Sequence, residues 1–393
     1  MLLLLVVTCT LPLFFTFSGA NSMPKLRLGI YFDLPAGGAK NLITSYLKEL
    51  KAEYELIYLS TLKPSQNRLI RDFQNFTTSY FHALSLRHYI KANKLDLVIV
   101  SHDTFFAAPS ILQFCPVKTL LFWNEPTRSL FEPELAIPKT LPLVNRLYES
   151  IYRRIKKLLE QKNAQKATLI LSNSKYTQNY LKTVYNLNSK VLYPFIDKQL
   201  FQRSKVIKAH KVLIIGCDEP QKRLDLALQA VAALPLKARP KLTIISPRAN
   251  QKINRLQALA QKLSVRLEQY VNLDQSKLIK EYQSAQATLV TALREPFGLS
   301  ALESISCGTP VIAVKEGGVV EIVKDKKTGY LVEADVVSIA KAITNIPHLA
   351  SPIPQLPRYF DKKLCVTKFR QILHKLATAQ ISSANNLFEN HNG

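Results

Sequence analysis

The chain is short of acidic residues, of cysteine pairs and of metal-binding motifs. Its 393 residues include 53 lysines and arginines but only 28 aspartates and glutamates, so the formal net charge is +25. The five cysteines are scattered and form no Cys-x-x-Cys pair, which argues against a structural zinc site and for reduced thiols in the cytoplasm. No Asp-x-Asp pair and no histidine-rich cluster offers ligands for a metal.

An apolar stretch at residues 2–17 lacks two features of a membrane-inserting segment. It is shorter than the roughly 20 residues that a spanning helix needs. No lysine or arginine precedes it, whereas a secretory signal peptide has a cationic start. A signal peptide or anchor at residues 1–22 is one interpretation. We favour the other, in which the protein starts at Met23, directly before the first strand-like segment.

Apolar, β-rich runs alternate with helical segments along the rest of the chain. The first series comprises Leu26–Phe32, Tyr54–Leu59, Leu95–Ser101, Val117–Trp123, Ala167–Ser172 and Lys190–Tyr193. The second comprises Lys211–Gly216, Lys241–Ser246, Val265–Val271, Ala287–Ala292, Pro310–Val314 and Tyr330–Val332. Apolar strands separated by helices are typical of parallel sheets buried on both faces. We therefore predict an α/β fold of two doubly wound domains.

The boundaries follow from where each series of strands ends. Pro194–Asp197 links the two series, and Pro352, Pro354 and Pro357 mark a second break. After the leader, we predict an N-terminal domain at 23–195, a C-terminal domain at 196–357, a last helix at 358–380 and a polar tail at 381–393.

The most informative segment carries two carboxylates, Glu295 and Glu303, around a Pro-Phe-Gly turn. An apolar strand precedes the turn and a helix follows from about Leu299. This geometry aims free backbone N–H groups at an anion, and Gly298 lets the backbone approach a ligand closely. Five residues of helix cover roughly 7.5 Å. This is about the distance from a phosphate bound at the helix start to a hydroxyl of the neighbouring sugar. Glu303 would therefore lie within reach of such a hydroxyl.

This segment resembles the Glu-x7-Glu signature of family 4 retaining glycosyltransferases, which have the GT-B fold. Gly308–Ala313, Glu316–Val323 and Lys327–Val332 follow in the order and spacing of that family. The resemblance covers about residues 24–380 and is denser in the second domain. It implies two Rossmann-like domains facing across a cleft, with a C-terminal helix crossing back. It also implies metal-independent transfer from a nucleotide-diphosphate sugar, with retention at the anomeric carbon and no cofactor.

The resemblance implies roles for particular residues. Glu295 would fix the hydroxyls of the donor sugar and Glu303 those of the ribose, while Lys222 and the helix start would stabilise the leaving diphosphate. The candidate catalytic residues are Glu295, His102 and Lys222. The candidate donor-binding residues are Gly38, Arg223, Phe297, Gly298, Leu299, Ser300 and Glu303. The alternatives are a plain tight turn at Gly37 and Gly38, and an ordinary hydrogen-bonding role for His102.

The second domain departs from the family pattern at Cys217. Relatives have an arginine here that clamps the diphosphate together with a lysine, which Lys222 matches. Unless Arg223 or Arg294 takes its place, one charge-assisted hydrogen bond of about 1.5–3 kcal/mol is lost. We expect donor binding to be weaker by one or two orders of magnitude.

The first domain departs from the pattern at Asn124, where many relatives have a histidine. Asparagine cannot carry a proton, so no acid–base role fits this position. We assign Asn124 and Arg128 to a loop that contacts the acceptor or the sugar. An alternative function is a GT-B protein that has lost transfer activity and serves as a nucleotide-sugar-binding subunit. A nucleotide-sugar epimerase shares the fold but lacks the downstream pattern.

We predict a hexosyltransferase acting on a cell-surface polysaccharide or a glycolipid. The stretches Pro220–Asp225 and Asn124–Arg128 are similar to those of relatives with such acceptors, several of which transfer mannose. The expected location is the cytoplasm, at the inner face of the membrane.

Basic charge concentrates at residues 146–166 and 237–266. In the first segment, apolar residues recur at helical spacing, namely Leu147, Ile151, Ile155, Leu158 and Leu159. This basic amphipathic helix either attaches to an anionic membrane surface or turns its apolar side to the core and its basic side to solvent. Basic charge also suits nucleic acid, but no recognisable nucleic-acid module is present. We expect no nucleic-acid partner.

Overall fold

The structure is a computed structural model that describes residues 25–247, 253–349 and 352–378. The predictions for residues 1–22 and 381–393 lie outside these ranges. Two parallel six-stranded sheets are formed, one in each half of the chain, and all twelve predicted strands are present. No helix in the described ranges combines the length and the apolar character that crossing a membrane requires.

The first sheet has the strand order β2-β1-β3-β4-β5-β6. Its strands are β1 Arg27–Tyr31, β2 Glu55–Tyr58, β3 Leu97–Val100, β4 Lys118–Trp123, β5 Leu169–Ser172 and β6 Lys190–Val191. The helices that connect them are α1 Gly38–Leu50, α2 Arg68–Phe76, α3 Thr78–Ala92, α4 Ile111–Phe114, α5 Leu143–Ala164 and α6 Lys175–Tyr185. Strand β3, with the sequence Leu-Val-Ile-Val, is buried at every position because helices cover both faces of the sheet.

The second sheet has the strand order β12-β11-β10-β7-β8-β9. Its strands are β7 Lys211–Ile215, β8 Lys241–Ser246, β9 Leu267–Val271, β10 Ala287–Val290, β11 Val311–Val314 and β12 Gly329–Val332. Its helices are α7 Leu224–Ala232, α8 Ile253–Lys262, α9 Gln275–Ser284, α10 Leu299–Ser306 and α11 Val336–Asn345. Strands β10 and β11 are fully buried in its centre.

The last helix, α12 Lys362–Thr378, belongs to the second half of the chain but packs on the first sheet. Phe369 and Leu373 are buried in the core beneath α1, and the ring of Phe369 lies 5.0 Å from that of Tyr46. Arg370 pairs with Glu53 at 2.8 Å. The predicted helix that crosses back to the first domain is therefore present.

The strand order reverses beside β1 in the first sheet and beside β7 in the second. At such a reversal, neighbouring connections leave the sheet in opposite directions, and the carboxyl ends of the strands open onto a crevice where ligands bind. The loops after β1, β3, β4, β7 and β10 lie at these ends. They hold the residues that the sequence singled out.

Candidate active site

The carboxyl ends of the two sheets enclose a cleft of about 440 Å³. Residues of both domains line it, including the starts of α1 and α10. The predicted site residues in its lining are Gly38, His102, Asn124, Lys222, Glu295, Phe297, Gly298, Leu299 and Ser300. The fold therefore brings together nine residues that are scattered over more than half of the chain.

Lys222 and Glu295 form an ion pair in this cleft. Their Nζ and Oε2 atoms are 2.7 Å apart. The Thr291 hydroxyl donates to the Lys222 carbonyl at 2.8 Å, which fixes the loop after β7 against the end of β10. Desolvation opposes the charge on Lys222, yet the carboxylates of Glu295, Glu125 and Glu219 outweigh it and raise the pKa of the ammonium group. Lys222 is therefore a fixed cation at neutral pH.

The backbone of the Glu295 loop is fixed by a close contact with the loop after β11. The Gly318 amide donates to the Glu295 carbonyl at 2.7 Å. A Cβ atom at Gly318 would lie 2.2 Å from the Pro296 carbonyl oxygen, so only glycine allows this approach. The Glu-Gly-Gly motif that begins at Glu316 thus holds the Glu295 turn in place.

Two helix starts meet in the cleft, and neither has a side-chain cap. Helix α10 follows Gly298, which has a φ of 103°, and α1 follows Gly37. Among the described residues, no group accepts a hydrogen bond from the amides of Leu299 or Ser300. Uncapped amides and the positive end of the helix dipole are the features that favour an anion at a helix start.

Glu303 lies one turn into α10 and outside the cleft lining. Its Oε2 accepts a hydrogen bond of 2.7 Å from the hydroxyl of Tyr282, which is fully buried. Burial raises the pKa of Glu303 to about 7, and the Tyr282 bond partly offsets that rise. Sequence reasoning did not identify Tyr282, because it is an ordinary apolar-face residue of α9 until the fold places it behind Glu303.

His102 is a neutral group in the cleft. Desolvation lowers its pKa to about 4, so the imidazole is uncharged at physiological pH. Its Nε2 lies 3.5 Å from the Glu125 amide, and its carbonyl accepts from the Asp33 amide at 2.9 Å. The ring can therefore exchange hydrogen bonds with a sugar hydroxyl but cannot supply a positive charge.

Asn124 is a buried polar side chain that faces the cleft without a partner. Only 3% of it is exposed, and neither Oδ1 nor Nδ2 makes a hydrogen bond. Leaving a buried polar group unpaired costs about 1–3 kcal/mol. A ligand with hydroxyl groups in the cleft would satisfy both atoms.

Glu125 is a cleft residue that sequence reasoning missed, although it directly follows Asn124. Its carboxylate has no hydrogen-bond or ion-pair partner among the described residues, and desolvation with the nearby charge of Glu295 raises its pKa. Glu125 also lines a second cavity of about 230 Å³, together with His102 and Asp103. The two cavities therefore share one wall.

The three arginines that the sequence analysis named, Arg128, Arg223 and Arg294, do not line the cleft. Each forms an ion pair with a glutamate. Arg223 lies 3.4 Å from Glu316, and Arg128 forms a buried pair with Glu132 at 2.7 Å. Arg294 reaches across to the first domain, 2.5 Å from Glu134. In the described structure, carboxylates pair with both Arg223 and Arg294, and neither arginine lines the cleft.

The two domains are also joined by direct hydrogen bonds beside the cleft. The Ser174 hydroxyl donates to the Pro296 carbonyl at 2.6 Å. Glu321 accepts from the amides of Lys175 and Tyr176 at the start of α6, at 3.0 and 2.9 Å. The turn that carries Glu295 is thus held by both domains. In the described ranges, no group of three or more His, Cys, Asp or Glu side chains is placed to hold a metal.

Comparisons with known proteins identify the second half of the chain. Residues 196–361 match the family described as glycosyl transferases group 1. The D-inositol 3-phosphate glycosyltransferase of Acidothermus cellulolyticus is 31% identical over 165 residues, which are 37% of this chain and 37% of the relative. The GDP-Man:Man(3)GlcNAc(2)-PP-Dol alpha-1,2-mannosyltransferase of Xenopus laevis is 28% identical over 222 residues, 51% of this chain and 45% of the relative. The matches span less than half the length of these curated relatives.

Solved structures match nearly the whole described fold. The sucrose-phosphate synthase of Thermosynechococcus elongatus has a TM-score of 0.72 at 16% identity, covering 91% of this chain and all of that protein. Anabaena HepE in complex with UDP has a TM-score of 0.64 at 15% identity, covering 89% of this chain and all of that one. These likenesses confirm the predicted α/β fold of two facing domains. The chain therefore has the GT-B fold, and its residues 196–361 are similar to the group 1 glycosyl transferases.

Proposed function

We propose that the protein is a retaining glycosyltransferase that moves a hexose from a nucleotide-diphosphate sugar to a polysaccharide or glycolipid acceptor. The observation that carries the proposal is the Lys222–Glu295 pair beside the uncapped start of α10. One cation and a set of free amides face the same cleft as a carboxylate. This is the arrangement that a sugar joined to a diphosphate leaving group needs.

The leaving group is stabilised first. As the anomeric C–O bond breaks through an oxocarbenium-like transition state, negative charge gathers on the diphosphate. The amides of Leu299 and Ser300 and the ammonium of Lys222, which line the same cleft, would stabilise that charge. In this scheme the helix dipole and Lys222 do the electrostatic work, so the proposed reaction needs no metal and no cofactor.

Hydrogen bonds would position the two sugars of the donor. Glu295 would accept from the hydroxyls of the transferred hexose, and the unpartnered amide of Asn124 would bind another hydroxyl. Glu303 would accept from the ribose hydroxyls through the oxygen that Tyr282 leaves free. The acceptor hydroxyl would attack from the face of the leaving group and give its proton to the departing diphosphate. That path retains the anomeric configuration.

The transferred sugar is a hexose, and mannose is the first to test because one relative is named a mannosyltransferase. The free thiols of the described cysteines and the use of nucleotide sugars favour a cytoplasmic reaction. Membership of glycosyltransferase family 4 fits the Glu-x7-Glu spacing.

A second candidate function is a nucleotide-sugar-binding subunit without transfer activity. The observation that favours it is the charge of the cleft, where Lys222 faces Glu125, Glu219 and Glu295 and where Cys217 stands in place of a second cation. Such a subunit would bind a nucleotide without consuming its sugar.

Donor turnover separates the two candidates. We would incubate the protein with uridine- and guanosine-diphosphate sugars, with and without lipid extracts as acceptors, and measure free nucleoside diphosphate. We expect release from one donor, and its loss in Glu295→Ala. Thermal stabilisation by a nucleotide, with no turnover under any condition, would contradict the transferase and support the binding subunit.

A further inference from the structure

Helix α5 exposes its apolar side and buries its polar one. Its buried residues are Glu160, Asn163 and Ala164. Six of its apolar residues are 40–77% exposed, namely Leu143, Val144, Leu147, Ile151, Ile155 and Leu158, whereas Leu159 is half-buried. The amphipathic pattern predicted from the sequence is therefore present but does not face the core. A row of large apolar side chains along four turns of a helix is left in water.

Helix α2 has the same inverted arrangement. Its buried residues are the polar Asp72 and Asn75, while Leu69, Ile70 and Phe73 are 54–68% exposed. An exposed single leucine is ordinary, but a helix that buries its polar residues and exposes its apolar ones has a surface suited to an apolar partner.

The two helices lie side by side. Arg68 pairs with Glu149, and the Tyr148 hydroxyl donates to Asp72 at 2.7 Å. The rings of Phe76 and Tyr152 are 5.3 Å apart. Polar groups thus join the helices to each other, and the apolar side chains of both remain outside. We call these nine exposed side chains the α2–α5 face: Leu69, Ile70, Phe73, Leu143, Val144, Leu147, Ile151, Ile155 and Leu158.

The charges next to this face are positive. Glu149 is used by Arg68 and Arg153, and Glu160 accepts hydrogen bonds inside the domain from Tyr185 and Thr127. By contrast, three exposed cations of α5 have no acidic partner among the described residues, namely Arg146, Arg154 and Lys162. Apolar side chains flanked by unpaired cations match the chemistry of a bilayer with anionic headgroups.

From the inverted burial of α2 and α5 and the unpaired cations beside it, we infer that the α2–α5 face docks on an anionic membrane surface. A second copy of the chain is the less favourable occupant, because both copies carry a net charge of +25 and would bring like charges together. The other basic segment, 237–266, is a weaker docking surface, since Lys241 and Arg255 there are paired with Glu268 and Asp218.

Helix α5 also borders the second cavity, which adjoins the main cleft. Lys156 of α5, between the exposed Ile155 and Leu158, lines the second cavity, which shares Glu125 with the main cleft. If the proposed transferase function holds, docking through a helix that borders this cavity favours a lipid-linked acceptor, and the docking itself does not depend on that function.

Hydrogen exchange of the full-length protein tests the inference by region. We would add vesicles of phosphatidylcholine alone or mixed with phosphatidylglycerol. We expect slower amide exchange in α2 and the first four turns of α5 with anionic vesicles, and unchanged exchange in α11. Because exchange is resolved along the chain, attachment elsewhere cannot mimic this result. No protection of α2 and α5, or equal protection with neutral vesicles, would overturn the inference.

Matched variants test the same point by vesicle flotation. Leu147→Glu with Ile151→Glu should reduce anionic-vesicle affinity by roughly tenfold or more. Leu236→Glu with Val337→Glu, at apolar positions of the second domain that are also more than half exposed, should leave the vesicle affinity unchanged. Concentration-dependent protection of α2 and α5 without vesicles would instead identify a second copy as the partner. Vesicle binding without donor turnover would leave the docking intact and contradict the transferase.

Discussion

The two domains differ in how clearly the sequence alone identifies their cleft residues. In the second domain, the important groups lie close together in sequence, because one turn carries Glu295, Phe297 and the start of α10. In the first domain, the cleft residues come from separate strand ends, and two helices are inverted toward solvent. The cleft residues of the second domain can thus be recognised from a sequence motif. Those of the first domain, and its exposed apolar helices, can be recognised only from the folded structure.

The largest effect should come from removing the cation of the second domain. We predict that Lys222→Ala lowers kcat by about 10²- to 10³-fold, because an electrostatic stabiliser of the leaving diphosphate is lost. Lys341→Ala, at an exposed position of α11, is the matched control and should be neutral. Steady-state turnover of the donor measures both. Equal rates for the two variants would remove Lys222 from the mechanism.

Introducing an arginine at Cys217 should strengthen nucleotide binding by the second domain. We predict that Cys217→Arg tightens nucleoside-diphosphate binding by about ten- to a hundredfold, since a charge-assisted hydrogen bond contributes about 1.5–3 kcal/mol. Cys217→Ser controls for loss of the thiol and should leave the Kd unchanged. Calorimetric titration gives both constants. Weaker binding in Cys217→Arg would show that the diphosphate does not lie near this loop.

Protonation of Glu303 should link donor binding to pH. The pKa of Glu303 in the folded protein, about 7, lies above its ordinary value of 4.5. Because the charged carboxylate is unfavourable when buried, the folded protein loses stability as the pH rises through 7. We predict that Glu303→Gln raises Tm by a few degrees at pH 8 and has less effect at pH 5. The same variant should weaken nucleotide binding at pH 8.

The hydrogen bond from Tyr282 provides a second test of that pH dependence. It lowers the pKa of Glu303, so Tyr282→Phe should move the midpoint of nucleotide binding to higher pH. Wild-type binding should fall as the pH drops through 7, because the protonated carboxyl accepts fewer hydrogen bonds. A flat profile from pH 5 to pH 9 would exclude Glu303 from donor binding.

The smallest effect should come from removing the Arg294–Glu134 ion pair between the two domains. Arg294 and Glu134 are both substantially exposed, and solvent screens such pairs, so they contribute little to stability. We predict that Arg294→Ala leaves both the nucleotide Kd and the urea midpoint of unfolding close to their wild-type values. A tenfold loss of nucleotide affinity would instead show that Arg294 swings into the cleft and acts as the missing clamp.

The fold could be predicted from the sequence because buried parallel strands have a local signal. Runs such as Leu97–Val100 and Val311–Val314 are apolar at every position, and helices separate them. The Glu295 turn was also visible, since its glycine and its two carboxylates lie within one strand–turn–helix unit.

Other features of the site depend on contacts between distant residues. The partner of Glu303 is a tyrosine twenty-one positions earlier, and the acids that occupy Arg223 and Arg294 lie in other loops. The direction of the apolar side of α5 was undecided for the same reason. Periodicity shows that a helix has two sides, but only packing shows which side is covered.

We propose that the start of α10 and Lys222 bind the diphosphate of a nucleotide sugar. The most direct measurement compares the affinities of a nucleoside diphosphate and of the matching monophosphate for the wild-type protein and for Lys222→Ala. We predict that the wild-type protein prefers the diphosphate by tenfold or more and that the variant loses most of this preference. Equal binding of both nucleotides to the wild-type protein, or a preference that survives in the variant, would contradict the account.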